Sequence, residues 1–524
     1  MNHIELFAGC GGLSLGLEHA GYNLVLANEL SPMAAESFAY NFFNEDLEES
    51  ANQEKSPSNA LWLNSKHPDL KSRLRENPFN FPALEDQGFS DVIGSQEFSR
   101  LQGKLVIGSV VELNKLLETQ PKIISLLKNC FGNGELDLVS GGPPCQSFSM
   151  AGKREKNNEK NSLPWAFAKF VELTNPKIVL LENVTGILRP FKDKQGRSFH
   201  AWYEVAKVFA SIGYVPLCLH INAKNAGVAQ NRPRFIMIAV RKDHLDNILS
   251  DSLQQNSALF QQPLDFYNLA QKENENLPFG HLDYIDATKP SGRSLLSDSF
   301  LSEIICEKMV SVKEALDDLK INNPSNPSKF VKDLNSTFDR LNKHSPRLNH
   351  EFRNNGPLVQ RRFRIYQILR QIEDREVTKA VFSILKGSSF TLEEGIWQQL
   401  KPYNYLHENG ELYRFPTKRE FENYLHAHPT KKQTQKALIE REPAPAALSI
   451  PDDACHYDEH ERRVLTVREM ARIQSFPDNF VFRSKITTGG QMRKYEVPQY
   501  TQVGNAVPPL LALKLGKAIS NLLK

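Results

Sequence analysis

Short, continuously apolar segments alternate with helical patterns over the first half of the chain. That alternation restricts the fold more than any other feature. HIELFA at 3–8 and NLVLANE at 23–29 read as strands. GCGG follows the first and opens an apolar-periodic helix from Leu13 to about Ala20. A second helix runs from about Pro32 to Asn41, with proline in the favoured first turn. The series resumes with KLVIGSV at 104–110, LDLVSGG at 136–142, KIVLLENV at 177–184, VPLCLHINA at 215–223 and RFIMIAVR at 234–241. Helical patterns at 163–174 and 200–212 separate them. Strands that are apolar throughout are buried on both faces, which predicts an α/β, Rossmann-like, doubly wound sheet. The stretch 224–233 is too short for a helical crossover, so the last strand is expected to be antiparallel.

Two regions break the pattern. Residues 44–103 are polar and rich in Asn, Ser, Glu and Pro, and read as an insertion of loops and short helices. Residues 242–455 lose the alternation and contain NNPSNPS, HSPRLNH, QRRFRIYQILRQ and PTKKQTQK. The expected organisation is a first domain over 1–241, an inserted domain over 242–455, and a return segment over 456–524 that completes the first. In the return segment VLTVREMARIQSF opens a helix capped by Thr466, with Glu469 three residues on as in a capping box. The formal net charge of the 524 residues is only +3, so a nucleic-acid surface has to be a local patch. Clustered Arg347, Arg353, Arg361, Arg362, Arg364 and Arg370 offer one, either as a solvated helix face or as a phosphate-tracking surface. The six cysteines form no CxxC pair, so neither a zinc site nor a disulfide framework is indicated, and a reducing cytoplasm fits. No apolar run approaches the roughly 20 residues needed to span a bilayer.

The chemistry-bearing residues lie where strands end. LDLVSGGPPCQSF places Cys145 on a loop stiffened by two prolines and turned by two glycines, at the carboxyl end of a strand. Glu182 and Asn183 end LLENV, and Arg232 and Arg234 share one face of an extended segment. The loop FAGCGG follows the first strand as a nucleotide-binding turn does. A dinucleotide fingerprint needs a third glycine at position 14, where Ser14 stands. The loop is a poor pyrophosphate cradle but allows close backbone approach. Glu29, 20 residues beyond Gly9, is placed to accept hydrogen bonds from ribose hydroxyls. A glycine loop, a ribose acid and no phosphate site fit S-adenosylmethionine.

In IELFAGCGGLSLGLEHAGY, NEL, GGPPCQSFSMAG, LLENVTGIL, INAKNAGVAQNRPRFIMIAV, RVLTVREMARIQSFPDNF and TQVGNAVP, in that order, the chain resembles a DNA (cytosine-5)-methyltransferase of the bacterial restriction–modification type. The resemblance covers most of 1–241 and 456–524. It implies a target-recognition domain beside the sheet, double-stranded DNA in the cleft between them, and a partner restriction endonuclease against which methylation protects the host. It also implies a monomer without metal. Cys145 would add to C6 of a flipped cytosine, and Glu182, its carboxyl raised by burial, would meet N3. Of Arg232 and Arg234, one would contact the cytosine carbonyl and the other hold the loop or a phosphate. Asn183 would hold the loop. Gln146, Ser147, Gln230, Arg361 and Arg364 would face DNA. Cofactor contacts would come from Phe7, Gly9, Gly11, Leu15, Glu29 and Asn505. Ser109 stands where the family usually has an aspartate against the adenine, and Asn158 and Lys160 replace an Asp and an Arg after the cysteine loop. Arg468 and Glu469 would organise the join between domains.

Other classes fit less well. An RNA cytosine methyltransferase often carries a second cysteine where Glu182 stands. A catalytically silent DNA-binding protein does not need the full reactive set. An amino-methylating DNA enzyme prefers an Asp/Asn-Pro-Pro-aromatic loop, and a nicotinamide oxidoreductase is disfavoured by Ser14.

Overall fold

The structure is a computed structural model and describes residues 1–93, 98–144, 163–192, 196, 198–251, 254–273, 277–305, 308–339, 348–431, 435–446 and 448–523. Among the described residues nine strands form its main sheet: β1 (Asn2–Leu6), β2 (Asn23–Glu29), β3 (Ala60–Trp62), β4 (Lys104–Ile107), β5 (Leu138–Gly141), β6 (Ile178–Val184), β7 (Tyr214–Asn222), β8 (Pro233–Arg241) and β9 (Ile285–Asp286). Their spatial order is β9-β7-β8-β6-β5-β1-β2-β4-β3. The helices that position the site are α1 (Gly12–His19), α2 (Pro32–Phe43), α3 (Val110–Thr119), α4 (Leu163–Thr174), α5 (Ala201–Ser211), α6 (Gln254–Glu273), α7 (Pro357–Ile372), α8 (Arg375–Leu385), α9 (Val467–Ile473), α10 (Gln499–Asn505) and α11 (Pro509–Ser520). The α/β, doubly wound architecture expected from the alternation is therefore present. The apolar runs explain it: Leu138–Val139 and Ile178–Leu181 are fully buried, between apolar clusters on the two faces of the sheet.

β1 pairs in parallel with both β2 and β5, so the winding reverses between β1 and β5. β8 runs antiparallel to both of its neighbours, as its short approach loop predicts. Two strands depart from the expectations. β3, inside the 44–103 insertion, joins the sheet edge in parallel with β4, and its Trp62 is wholly buried. That insertion is thus more than loops and short helices. Its strand is three residues long, too short to show a period in sequence. β9 pairs with β7, and α6 buries Phe266 and Ala270 in the same apolar cluster as β1 and β6. The helix Gln254–Glu273 and the strand Ile285–Asp286 thus pack on the sheet, although they lie beyond position 242. Their apolar stripe is narrow and sits in a polar average, which hid it.

A separate apolar cluster is built from Phe363, Leu369, Val377, Val381, Trp397, Tyr405 and Phe421, among others. α11 returns to the first region and packs Leu511, Ala512 and Leu515 against Leu13 and Leu17 of α1. α9 starts with the expected capping box, Thr466 with Glu469. Among the described residues no helix is long and apolar enough to cross a membrane.

Candidate active site

Parallel pairing puts the carboxyl ends of β1, β2, β4, β5 and β6 on one edge of the sheet. Because β8 runs the other way, its first residues reach that same edge. Arg234 lies opposite Val184 in the register, and Ile236 lies opposite Glu182. Residues far apart in sequence thus converge through strand direction alone.

Cys145, Gln146 and Ser147 lie outside the described residues, as do Asn158 and Lys160. The approach to the cysteine is described as far as Pro144. Asn183 donates its side-chain Nδ2–H to the Pro143 carbonyl at 2.9 Å, which ties the loop to the end of β6. Gly142 explains why this loop starts with glycine. A Cβ there would sit 3.0 Å from Glu182 Oε2, so only glycine lets the backbone lie this close to the carboxylate without pressing on it.

Glu182 is 9% exposed and pairs with Arg234, Nε to Oε1 at 2.5 Å. Arg232 takes a different role. It is 3% exposed and donates Nη2–H to the carbonyls of Gly504 and Ala506 at 2.6 and 3.1 Å. Burial and the neighbouring Arg234 push its guanidinium well below the ordinary arginine range. Two arginines two residues apart are thus divided: Arg234 faces the carboxylate, and Arg232 holds the end of α10.

The loop after β1 is shaped by three residues of positive φ, Phe7 at 57°, Gly9 at 58° and Gly11 at 97°. A non-glycine residue in that region is uncommon, so Phe7 marks a constrained turn. Gly9 donates its N–H to Glu29 Oε2, and Ser31 donates its N–H to Oε1, both at 2.7 Å. Each carboxylate oxygen keeps a further lone pair for hydroxyl donors. Burial pushes the Glu29 carboxyl above its ordinary value, against those two N–H groups. Ser14 is wholly buried, and its hydroxyl donates to Glu5 in β1. The position that a dinucleotide cradle needs as glycine is spent on an internal lock. The Glu5 carboxyl is pushed up to about 8, chiefly by burial.

Ser109 caps α3, its Oγ accepting from the Val111 N–H at 3.2 Å, and is half-buried at the same edge. Asn505 is exposed at the end of α10. Leu15 is corrected as a cofactor contact. It is 0% exposed and packs with Val467, Met470 and Phe476, because it lies on the inner face of α1. Gln230 is corrected as a DNA contact. It is wholly buried, and its Nε2–H groups donate to the carbonyls of Pro445 and Ala446 at 3.0 and 3.5 Å. Arg364 is corrected too. It is buried, donates to the Asn404 carbonyl at 2.9 Å and pairs with Glu459 at 2.8 Å, and its remaining nitrogen, Nη1, is buried out of reach of a phosphate. Arg361 is half-buried and donates Nε–H to His428 at 2.8 Å.

Sequence reasoning missed the segment 443–446. Ala444 bridges Gln230, accepting from the Asn231 N–H at 2.7 Å and donating to the Ala229 carbonyl at 2.9 Å. Nothing in its Pro-Ala composition signals this. The α9 charges Arg468 and Glu469 are both buried and held by internal partners. Arg468 donates to the carbonyls of Leu348, Pro477 and Phe480. Burial alone would raise the Glu469 carboxyl, but Arg463, bound through both nitrogens at 2.8 Å, outweighs it and holds that group down at about 2. No cluster of three or more His, Cys, Asp or Glu able to hold a metal occurs among the described residues.

A family model described as C-5 cytosine-specific DNA methylase matches residues 1–64 and 112–521. The chain is 24% identical to the type II methyltransferase M.DdeI of Desulfomicrobium norvegicum, over 99% of this chain and 88% of that protein. It is also 24% identical to M1.HphI of Haemophilus parahaemolyticus, over 99% and 86%. A further similar protein is M.Bpa9945I of Bacillus paralicheniformis, 24% identical over 99% and 98%.

Proposed function

Because the chain belongs to the C-5 cytosine-specific DNA methylases, and so methylates cytosine in DNA at C5, we propose the route, the methyl donor and the biological role. When bound, S-adenosylmethionine supplies the methyl group. Glu29 would hold its ribose, with Phe7, Gly9 and Ser109 beside the nucleoside and Asn505 toward the methionine end. The Gly-x-Gly loop locked by Ser14 suits a ligand without phosphates, and the open lone pairs of Glu29 suit its hydroxyls.

The target base leaves the duplex, at a cost of a few kcal/mol recovered in pocket and groove contacts. Cys145 adds as thiolate to C6, which makes C5 carbanion-like and able to take the methyl group. Glu182 meets N3 and draws off the charge that builds as sulfur adds. Arg234, paired to Glu182, reaches the cytosine carbonyl, and Arg232 is a positioning residue that holds the α10 end. Loss of the C5 proton then expels the thiolate. The observation that carries this reading is the Glu182–Arg234 pair set directly against Gly142 of the Gly-Gly-Pro-Pro loop.

Recognition is assigned to the helical unit around α7 and α8, within the inserted 242–455 region. The enzyme is taken to act as a monomer in the cytoplasm, on double-stranded DNA, guarding host DNA against a partner restriction endonuclease. Bisulfite sequencing of DNA from cells expressing the chain tests this. Protection of cytosines in one short sequence context is the expected result. Conversion of every cytosine, with methyl label appearing in RNA instead, would overturn it.

A further inference from the structure

Of the arginines singled out in sequence as a phosphate-tracking surface, Arg361, Arg362 and Arg364 are held by His428, Pro429, Asn404 and Glu459, and Arg347 lies outside the described residues. Arg370 belongs to another basic surface nearby. A groove of about 580 Å³ lies between the end of α7, the outer face of α8 and the segment 435–442. Arg370, Arg375, Lys379, Lys386 and Lys436 line it. Among the described residues none of the five is in an ion pair. Of the carboxylates beside them, Glu373 is already paired with Arg441 at 2.5 Å, and Asp374 caps α8 by accepting from two backbone N–H groups. Arg370 sits close enough to Lys436 to disfavour its charge. Burial, then Arg370, pushes the Lys436 ammonium below its ordinary value. Glu442 lines the groove as well, so five cations stand against three carboxylates, none of which is in an ion pair with them among the described residues, and the net positive surface suits an anion from outside.

The spacing suits a polyanion. Arg375, Lys379, Phe382 and Lys386 fall at i, i+4, i+7 and i+11, a single stripe along α8, while Val377, Val381 and Ile384 face the core. The stripe is about 16 Å long. One strand of a duplex presents a charge about every 3.4 Å of axis, so the stripe can meet several phosphates. The groove is linked to the catalytic edge through the chain. Glu442 lines it, and two residues on, within about 7 Å of chain, Ala444 is bridged to Gln230, which precedes Arg232 and Arg234.

We propose that this groove grips the phosphate backbone of the substrate duplex, through Arg370, Lys379, Lys386 and Lys436, and so sets affinity without reading sequence. The proposal rests on the DNA-methylating reading. It is tested on the full chain by fluorescence anisotropy, using duplexes with and without the methylated site, across a salt series. Replacing Lys379, Lys386 and Lys436 together by alanine should weaken binding to both duplexes equally, by at least about tenfold, and make the slope of log affinity against log salt shallower by about 2.7. Replacing the same three by arginine should restore both, which separates lost charge from lost folding. An unchanged salt slope in the alanine variant, or a loss confined to the cognate duplex, would overturn the proposal. So would displacement of the duplex by single-stranded RNA at equal concentration. Methyl transfer by the unaltered chain in the same buffer checks the underlying reading separately: an active enzyme with an unchanged slope refutes the groove alone.

Discussion

The carboxyl edge of the sheet and the helical unit around α7 and α8 both carry charged residues that the sequence marks out, and they use them in opposite ways. At the sheet edge Glu182, Arg234 and Glu29 arrive at strand ends, where strand direction, parallel for β2 and β6 and antiparallel for β8, leaves them little choice. In the helical unit Arg364 lies three residues from Arg361 on α7, and its guanidinium is buried against Asn404 and Glu459. A strand end fixes where a side chain points before any packing is known. A helix face does not, because which side is buried depends on partners far away in the chain.

The largest effect separating the two regions is expected at Glu182. Glu182→Gln should slow methyl transfer by about 10²–10⁴-fold while leaving duplex affinity near its original value. A change confined to affinity would move Glu182 into the same class as the surface cations. Next comes Arg364. Arg364→Leu should lower stability by about 2 kcal/mol, read by urea unfolding, because it strips a carbonyl and a carboxylate of their donor. Its salt slope for DNA should be unaltered, and a shallower slope would return Arg364 to the DNA surface.

A smaller effect distinguishes two buried carboxyls by pH. Glu469 is held down at about 2 beside Arg463, below its unfolded value of 4.5, so its contribution is present above that value and lost as pH falls through about 2. Glu5 is raised to about 8, so its contribution is complete below 4.5 and is lost as pH rises through about 8. Glu469→Gln should flatten the acid limb of the stability profile, and Glu5→Gln the alkaline limb. Identical profiles for both variants would show that the two sites are not electrostatically opposed. Glu29→Ala should weaken S-adenosylmethionine binding about tenfold in calorimetry, with no NAD binding in either protein. Measurable NAD binding by the unaltered chain would contradict the cofactor reading.

Much of the sheet was legible because its strands are apolar throughout and its motifs sit at their ends. β2 and α4 fall on their expected residues, and the antiparallel β8 follows from a short loop. What escaped depends on long-range contact. β3 and β9 are too short to show a period, and the apolar stripe of α6 is diluted by polar neighbours. Leu15 sits on the cofactor loop's own helix yet faces Phe476 and Met470, residues contributed from some 450 positions later. Gln230 belongs to a motif that reads as DNA-facing, but the late Pro445–Ala446 segment covers it.

Cys145, two residues beyond the Pro143 carbonyl that Asn183 holds, is proposed to form a covalent bond to C6 of a flipped cytosine. A duplex with 5-fluorocytosine at the target position tests it most directly. Sulfur can still add and the methyl group can still transfer, but the final elimination would require fluorine to leave as a cation, which is chemically inaccessible. Enzyme and DNA should remain joined through denaturation, only with S-adenosylmethionine present, and peptide mapping should place the link at Cys145. Cys145→Ser should form no adduct and show no turnover. A link at any other cysteine, or turnover surviving in the serine variant, would contradict the account.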